Sequence, residues 1–565
     1  MLHMRPSKTV RIILIVSALC FIGLSAALMM MIPHGERQNP PSDTSSASDS
    51  VFDSDFDSLP QHPDPPIFNP QCIEETDPSS DLYNFKYDIM ENGKIVSEYR
   101  RPNAIGFGLP EEYTALEGVT TFRGNNFRNN SSWGTVDPSE ERLSKIWSVS
   151  IGGIGIWQGV GWNGHPAIVR WDNETRQIMN MYPEKKDKDG LAEVIYAALD
   201  GKIRFLDLDD GTPTRPSINI KSPIKGSVTI DPRGYPLMYA GQGSSLGPGG
   251  GNPGFRVFSL IDGKMLLHIP GNDKFAYRYW PYFDSNALVD GASDTLFIAG
   301  ENGVLYTVSL GTDYNPDAGT ISIDPYIVKY RYKTPLCPQV GTEGSITAYS
   351  GYLMYAENSG LVQCVDLNTM TPVWIRHCTD DTDSTPLLDF EEDGSLSIYT
   401  ACEVDKQGWG GSSYIRKLDA ATGALLWEYS YPCKYHSSNG GVLASPVLGR
   451  GDIEGGVIFL IAKICGEEGD GVLVNLDKKT GEIIWEKYFP NFAWSSPAAV
   501  YTEDGKSYLV TCDSIGIVRL IEGKTGNVLD QTAIGTMNIE GSPAAFGNKV
   551  VVGTRGKRIV CLEIS

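Results

Sequence analysis

The sequence predicts an all-β fold, an eight-bladed β-propeller, on three observations. First, one phrase recurs: Leu418-Asp419-Ala-Ala-Thr422-Gly423-Ala-Leu-Leu-Trp427 returns as Leu476-Asp477-Lys-Lys-Thr480-Gly481-Glu-Ile-Ile-Trp485, with a weaker copy at Val365-Asp366-Leu-Asn-Thr369-Met370-Thr-Pro-Val-Trp374. Second, each copy sits between apolar alternating runs rich in β-branched and aromatic residues, such as 472–476 and 483–485, which read as strands. The Asp side chain starts a turn and the Gly supplies the positive φ that closes it, so the phrase is a hairpin. Third, two more strand signals precede each hairpin. One begins at Ser445-Pro446, Ser496-Pro497 or Ser542-Pro543, where Pro suits a first strand position that needs no ladder donor. The other is a short apolar run, 457–462, 508–511 or 550–553. Four strands per period, repeated, make a propeller blade.

Counted by hairpin, the modules run in order along the chain. The first spans 195–208, turning at Asp209-Asp210-Gly211; the second spans 255–267; the third spans 296–310 with a longer connection to 327–332. The fourth to sixth carry Trp374, Trp427 and Trp485 with their turn residues Asp366, Asp419, Asp477, Gly423 and Gly481. The seventh, 517–529, keeps Gly526 but has Asp530 in place of the Trp, and the eighth, 542–564, stops after three strands. Lys145-Ile146-Trp147 reads like the missing outer strand, and closing the last blade with it removes two sheet edges. From Trp147 to Ser565, eight modules give about 52 residues each. A seven-module division remains if modules two and three are misdivided.

The Trp phrase resembles the tryptophan-docking repeat of the PQQ-type (quinoprotein-like) propellers. So does the lead-in Phe122-Arg123-Gly124-Asn125-Asn126-Phe127-Arg128. The resemblance covers roughly residues 118–565 and implies the fold. It leaves function open, because this superfamily holds both quinone-dependent alcohol dehydrogenases and outer-membrane assembly lipoproteins that bind proteins. The dehydrogenases stack their quinone on a disulfide between adjacent cysteines, and this sequence has no Cys-Cys pair. A Glu/Asn/Asp calcium set cannot be placed residue by residue either. The chain therefore resembles the non-catalytic, assembly-lipoprotein-like members more closely, with no PQQ expected and calcium left open.

The ends speak to location. Residues 12–32, from Ile12 to Ile32, form an uncharged apolar run of 21 residues, long enough to span a bilayer. Arg5, Lys8 and Arg11 precede it, which puts residues 1–11 in the cytoplasm and the rest outside. An uncleaved single-pass signal anchor is expected, with a cleaved signal peptide as the alternative. Residues 33–82, dense in Pro, Ser and Asp, read as a disordered stalk. Residues 83–142 read as an extension packing on the propeller of 143–565, with a small hairpin around Asn92-Gly93. The net charge of −22 argues against nucleic acid, which needs a basic footprint.

The ten cysteines form no Cys-x-x-Cys pair, so a thiolate zinc site is not expected. Most read as small core residues, with one disulfide among Cys337, Cys378 and Cys433 left open. Gly159-Val-Gly161-Trp-Asn-Gly164 matches a dinucleotide pattern and Gly243–Gly247 a nucleophile-elbow pattern, but neither has the strand–helix unit its chemistry requires. Asp207-Leu-Asp209-Asp210-Gly211 lacks the terminal acid of a calcium loop.

The mouth of the ring is the remaining candidate. Aligning the Ser-Pro starts places Lys225, Asp284, Glu343, Asp383 and Glu540 at inner-strand inlets, with His165 at the same step of the first module. Trp157, Trp162, Tyr279, Trp280 and Trp494 crowd the same segments. An acidic funnel rimmed by aromatics suits a peptide, a protein segment or a glycan. The expected function is a membrane-anchored extracytoplasmic binding or scaffolding module of the cell envelope. The alternatives are a quinoprotein-like oxidoreductase and a carboxylate-dependent glycan-cleaving enzyme.

Overall fold

Eight antiparallel sheets follow one another along the chain, each built outward from a short inner strand. The inner strands are Ala167–Arg170, Val228–Ile230, Leu288–Asp290, Thr347–Tyr349, Leu387–Phe390, Val447–Leu448, Ala498–Tyr501 and Ala544–Phe546. The computed structural model describes residues 66–565 apart from Asn163, 244–252, 436–438 and 467–468. The apolar run 12–32 lies outside the described residues, as do residues 33–65 of the stalk and most of the Gly243–Gly247 pattern. No helix among the described residues is long and apolar enough to cross a membrane.

The blade count is eight. The seven-module division fails because modules two and three are separate sheets with inner strands of their own, Val228–Ile230 and Leu288–Asp290. The ring closes as the outer-strand pattern at Trp147 requires: Leu143–Ser150 pairs antiparallel with Arg558–Ile564, placing Trp147 opposite Cys561. The hairpin at Asn92-Gly93 forms from Lys86–Glu91 and Lys94–Val96, with both turn residues at positive φ. It adds to the outer strand Tyr326–Lys333 of blade 3 and covers that open edge.

Each Trp of the repeat docks on the next blade. The indole Nε1 of Trp374 donates to the Ala420 carbonyl (2.9 Å), that of Trp427 to Lys478 (3.0 Å), and that of Trp485 to Gly523 (3.0 Å). Trp147 makes the same bond to Leu208 across the closure (2.9 Å). The turn glycine therefore has a second reason to be glycine. A Cβ on Gly481 would sit 2.7 Å from the Trp427 ring, and Gly211, Gly423 and Gly526 meet their own Trp in the same way.

The Ser-Pro starts also join the blades. The residue before each Pro, or its counterpart, donates its backbone N–H to a side chain of the following blade. Ser345 bonds Thr385 (2.8 Å), Thr385 bonds Ser445 (3.1 Å), Ser445 bonds Ser496 (2.9 Å) and Ser496 bonds Ser542 (3.0 Å). His165 bonds Ser227 (2.8 Å) and Asn286 bonds Ser345 (3.1 Å) at the same level. Backbone donors that face the axis need partners, and a short hydroxyl supplies one without filling the channel.

The cysteines among the described residues are free thiols, Cys337, Cys378 and Cys433 included, so none of these three forms a disulfide. Cys364, Cys512 and Cys561 are buried between sheets, whereas Cys72 and Cys465 are exposed.

Strand alternation gives the ring two faces. Inner-strand inlets and the turns between second and third strands lie on one, the funnel face; the Trp-phrase hairpins lie on the other, the turn face. The N-terminal segment lies along the turn face, where Gln71 bonds Ala421, Arg101 bonds Asn368, Phe107 bonds Ser350 and Ala115 bonds Pro232. Residues 66–82, at the end of the stretch that composition assigns to a stalk, belong to this layer because Phe68 packs on Tyr349 and Tyr352.

Candidate functional site

The floor of the funnel is the lead-in, which enters the central channel. Arg128 donates to the carbonyls of Ile346, Asn286 and Ala287 in blades 3 and 4, and to Thr121 and Phe122 of its own segment. Arg123 reaches the opposite side, to the Pro446 and Pro497 carbonyls of blades 6 and 7. Both guanidinium groups are buried, and burial lowers each to about 10. His165 belongs to this floor and not to the wall. It is buried edge-on against Phe122 (5.4 Å), with neither ring nitrogen hydrogen-bonded. Burial, with Arg123 and Arg128 nearby, pushes it down to about 3, so it is neutral.

The wall over blades 3 to 5 is acidic. Lys225 pairs with Asp284 and, at 3.3 Å, with Glu343. Glu301, from the turn after the second strand of blade 3, joins them, and one oxygen from each of Asp284, Glu301 and Glu343 falls within a 4.8 Å span. Burial pushes the Asp284 carboxyl up to about 6, with Lys225 opposing and Glu343 adding. Burial, then Glu343 and Asp284, raise Glu301 further. Burial alone would lower Lys225, but Asp284, Glu343 and Glu301 outweigh it and hold the ammonium charged.

A second acidic group lies on blade 5. Asp381 and Asp383, from the inlet segment, meet Glu403, from the turn after the second strand, again within 4.8 Å. Lys406 bonds one Asp381 oxygen at 2.7 Å. Blades 7 and 8 are different. Asp513 pairs with Arg519 (2.9 Å) and Glu540 with Arg555 (3.0 Å), so each has an arginine partner.

Aromatics stand around this face. Tyr279 is 84% exposed and Trp280 46%, the latter edge-on to Tyr282 at 5.3 Å. Trp494 packs beside Phe492 under Lys463, and Trp157 lies near Arg555, while Trp162 is buried. The sequence reading therefore named Lys225, Asp284, Glu343 and Asp383 on the acidic wall. It missed Glu301, Asp381, Glu403 and Trp409, which is 82% exposed on the same face. Asp381 stands beside the inlet position of Asp383, and Glu301 and Glu403 stand just past a second strand, where the repeat pattern shows small core residues. Trp409 sits in a loop outside the repeat and leaves no sequence signal.

Residues 411–565 match the family described as "Outer membrane protein assembly factor BamB". No curated protein matches the chain. Among solved structures, the quinohemoprotein alcohol dehydrogenase of Comamonas testosteroni is similar at 11% identity and a TM-score of 0.53, over 79% of this chain and 80% of that one. Alcohol dehydrogenase ADHIIG of Pseudomonas putida HK5 gives 11% and 0.51 over the same shares. BamB of Moraxella catarrhalis gives 13% and 0.32, over 74% of this chain and 97% of that one. For the two dehydrogenases the likeness is one of fold alone. With the docked Trp repeat, the fold of the ring is that of the PQQ-type β-propellers, and residues 411–565 carry the sequence match as well.

Proposed function

We propose that the chain is a binding module of the cell envelope, anchored by residues 12–32 with its propeller outside the cytoplasm, and that its funnel takes a basic segment of a partner protein. The carrying observation is the wall of blades 3 to 5, where Asp284, Glu301, Glu343, Asp381, Asp383 and Glu403 converge against Lys225 and Lys406, with Tyr279, Trp280 and Trp409 exposed on the same face. A cationic side chain compensates buried carboxyls and a neutral sugar does not, which favours peptide over glycan. The aromatics supply apolar area at the rim. The matched family's description as an assembly factor supports a scaffolding role. The donor set is a poor match for PQQ, because a quinone bearing carboxylates would meet a wall of acids.

The test is fluorescence anisotropy of a labelled Lys/Arg-rich peptide on the full chain in detergent, against an acidic peptide of equal length. The basic peptide binds, weakens as salt is raised, and is lost on Glu343→Gln combined with Trp280→Ala. Equal binding of both peptides, or retention in the double variant, overturns the reading. Dye reduction after addition of PQQ and calcium would move the assignment to an oxidoreductase.

A further inference from the structure

The turn after the second strand carries an acid in several blades, and its usual work is structural. In blade 7, Asp513 accepts from the backbone N–H groups of Ile515 and Ile517. In blade 4, Glu357 accepts from Ser359 and Leu361. In blade 1, Asp200 accepts from Lys202. Each carboxylate caps its own turn, as short acidic residues do.

Glu403 has the same place in blade 5 and does none of this. Its turn is held instead by Asp380, whose carboxylate accepts four backbone N–H groups, from Asp381 (2.7 Å), Lys406 (2.9 Å), Asp405 (3.0 Å) and Gln407 (3.0 Å). The backbone N–H of Glu403 bonds the Asp381 carbonyl (2.8 Å), which fixes the two segments side by side. Glu403 is then wholly buried, no N–H or hydroxyl donor reaches either of its carboxylate oxygens, and it meets only the carboxyls of Asp381 and Asp383. Asp381 and Asp383 each leave one further oxygen without a partner. Lys406 reaches the other Asp381 oxygen and is shared with Asp405, so it does not balance the three acids, and the excess negative charge favours a cation.

We infer that Asp381, Asp383 and Glu403 form a calcium site on blade 5. Carboxylate oxygens alone, with no nitrogen or sulfur donor, suit a hard cation, and calcium tolerates irregular oxygen cages completed by water. Without a cation these buried acids avoid the cost of bare charge only by holding protons, as their upward shifts on burial show. All the ligands come from one blade, so the site needs no cofactor, and with the ion bound Asp284, Glu301 and Glu343 are the acids left to meet the basic segment proposed for the funnel.

The test is isothermal titration of the full chain in detergent with calcium chloride alone, after stripping with a chelator, alongside thermal unfolding. One calcium per chain is expected, with a thermal midpoint that rises as calcium is added. Glu403→Gln and, independently, Asp383→Asn weaken calcium at least tenfold, while Asp284→Asn leaves it unchanged. Circular dichroism of the two near-isosteric variants checks that the blade persists. Absence of saturable binding, or binding that survives both substitutions, overturns the proposal. Loss on Asp284→Asn with retention in Glu403→Gln would overturn it too, placing the ion among Asp284, Glu301 and Glu343 instead.

Discussion

The two faces of the ring obey opposite rules. On the turn face, polar groups find partners: the Trp indoles bond the next blade, the hairpin Asp residues cap their turns, and the N-terminal segment bonds along it. On the funnel face, the buried carboxyls of Glu301, Asp383 and Glu403 meet other carboxyls rather than N–H or hydroxyl donors, and large aromatics stand exposed. Bonded polar groups contribute stability; crowded buried carboxyls are ready for a ligand. The contrast also runs around the funnel face itself, since Asp513 and Glu540 have arginine partners and the acids of blades 3 to 5 share two lysines.

Substitutions separate the two rules. The largest loss of stability should come from the floor. Arg128→Ala leaves several buried carbonyls bare and is expected to cost about 3–5 kcal/mol in urea unfolding. Arg123→Ala, with fewer bonds and an Nε that has no partner, should cost less. Equal costs would mean that the clamp does not act through its hydrogen bonds.

Next comes the docked Trp. Trp427→Ala removes a ring that covers Gly481 and a bond to Lys478, for about 3 kcal/mol. Gly481→Ala should destabilise as well, because φ is +74° and the new methyl meets the indole. Both variants should bind the basic peptide as the parent does; a lost affinity would break the division between faces.

His165 gives a smaller, pH-dependent term. Its folded value, about 3, lies below that of an unfolded histidine, so the unfolded chain binds the extra proton first. The stability it carries is present above about pH 6.5 and falls as pH drops toward 3. At pH 5 the loss attributable to His165 is about 2 kcal/mol, and His165→Leu should remove that part of the acid sensitivity. A parent and variant with parallel pH profiles would show that His165 is not held neutral.

The smallest effect on stability belongs to the rim. Trp280→Ala with Trp409→Ala should shift unfolding by no more than about 0.5 kcal/mol while weakening the basic peptide at least tenfold. A large loss of stability would make these aromatics part of the core and unite the two faces.

The sequence displayed the blade because the blade is a local object. Asp419, Gly423 and Trp427 lie within one hairpin, and their spacing repeats at Asp477, Gly481 and Trp485. The closing strand at Trp147 was legible for the same reason. The acidic wall was half legible. Lys225, Asp284, Glu343 and Asp383 stand at a fixed step from the Ser-Pro starts, but Glu301 and Glu403 carry a residue type that elsewhere only caps a turn. Whether such an acid is used or left bare depends on Asn302, which caps the turn of Glu301, and on Asp380, which holds the turn of Glu403. That cannot be read from either residue alone. His165 illustrates the reverse case: it aligns with the wall acids, yet the lead-in rises beneath it and makes it floor.

The sequence by itself determined the repeat and the closing strand, because strand period, turn chemistry and spacing are short-range properties, while the count of eight rests on modules two and three being separate sheets. Only the tertiary structure decided which face is covered, where the channel is stopped and which carboxyls lack partners. Those depend on residues far apart in the chain meeting at one place: Arg128 with Ile346, Lys225 with Glu343, and Asp381 with Glu403.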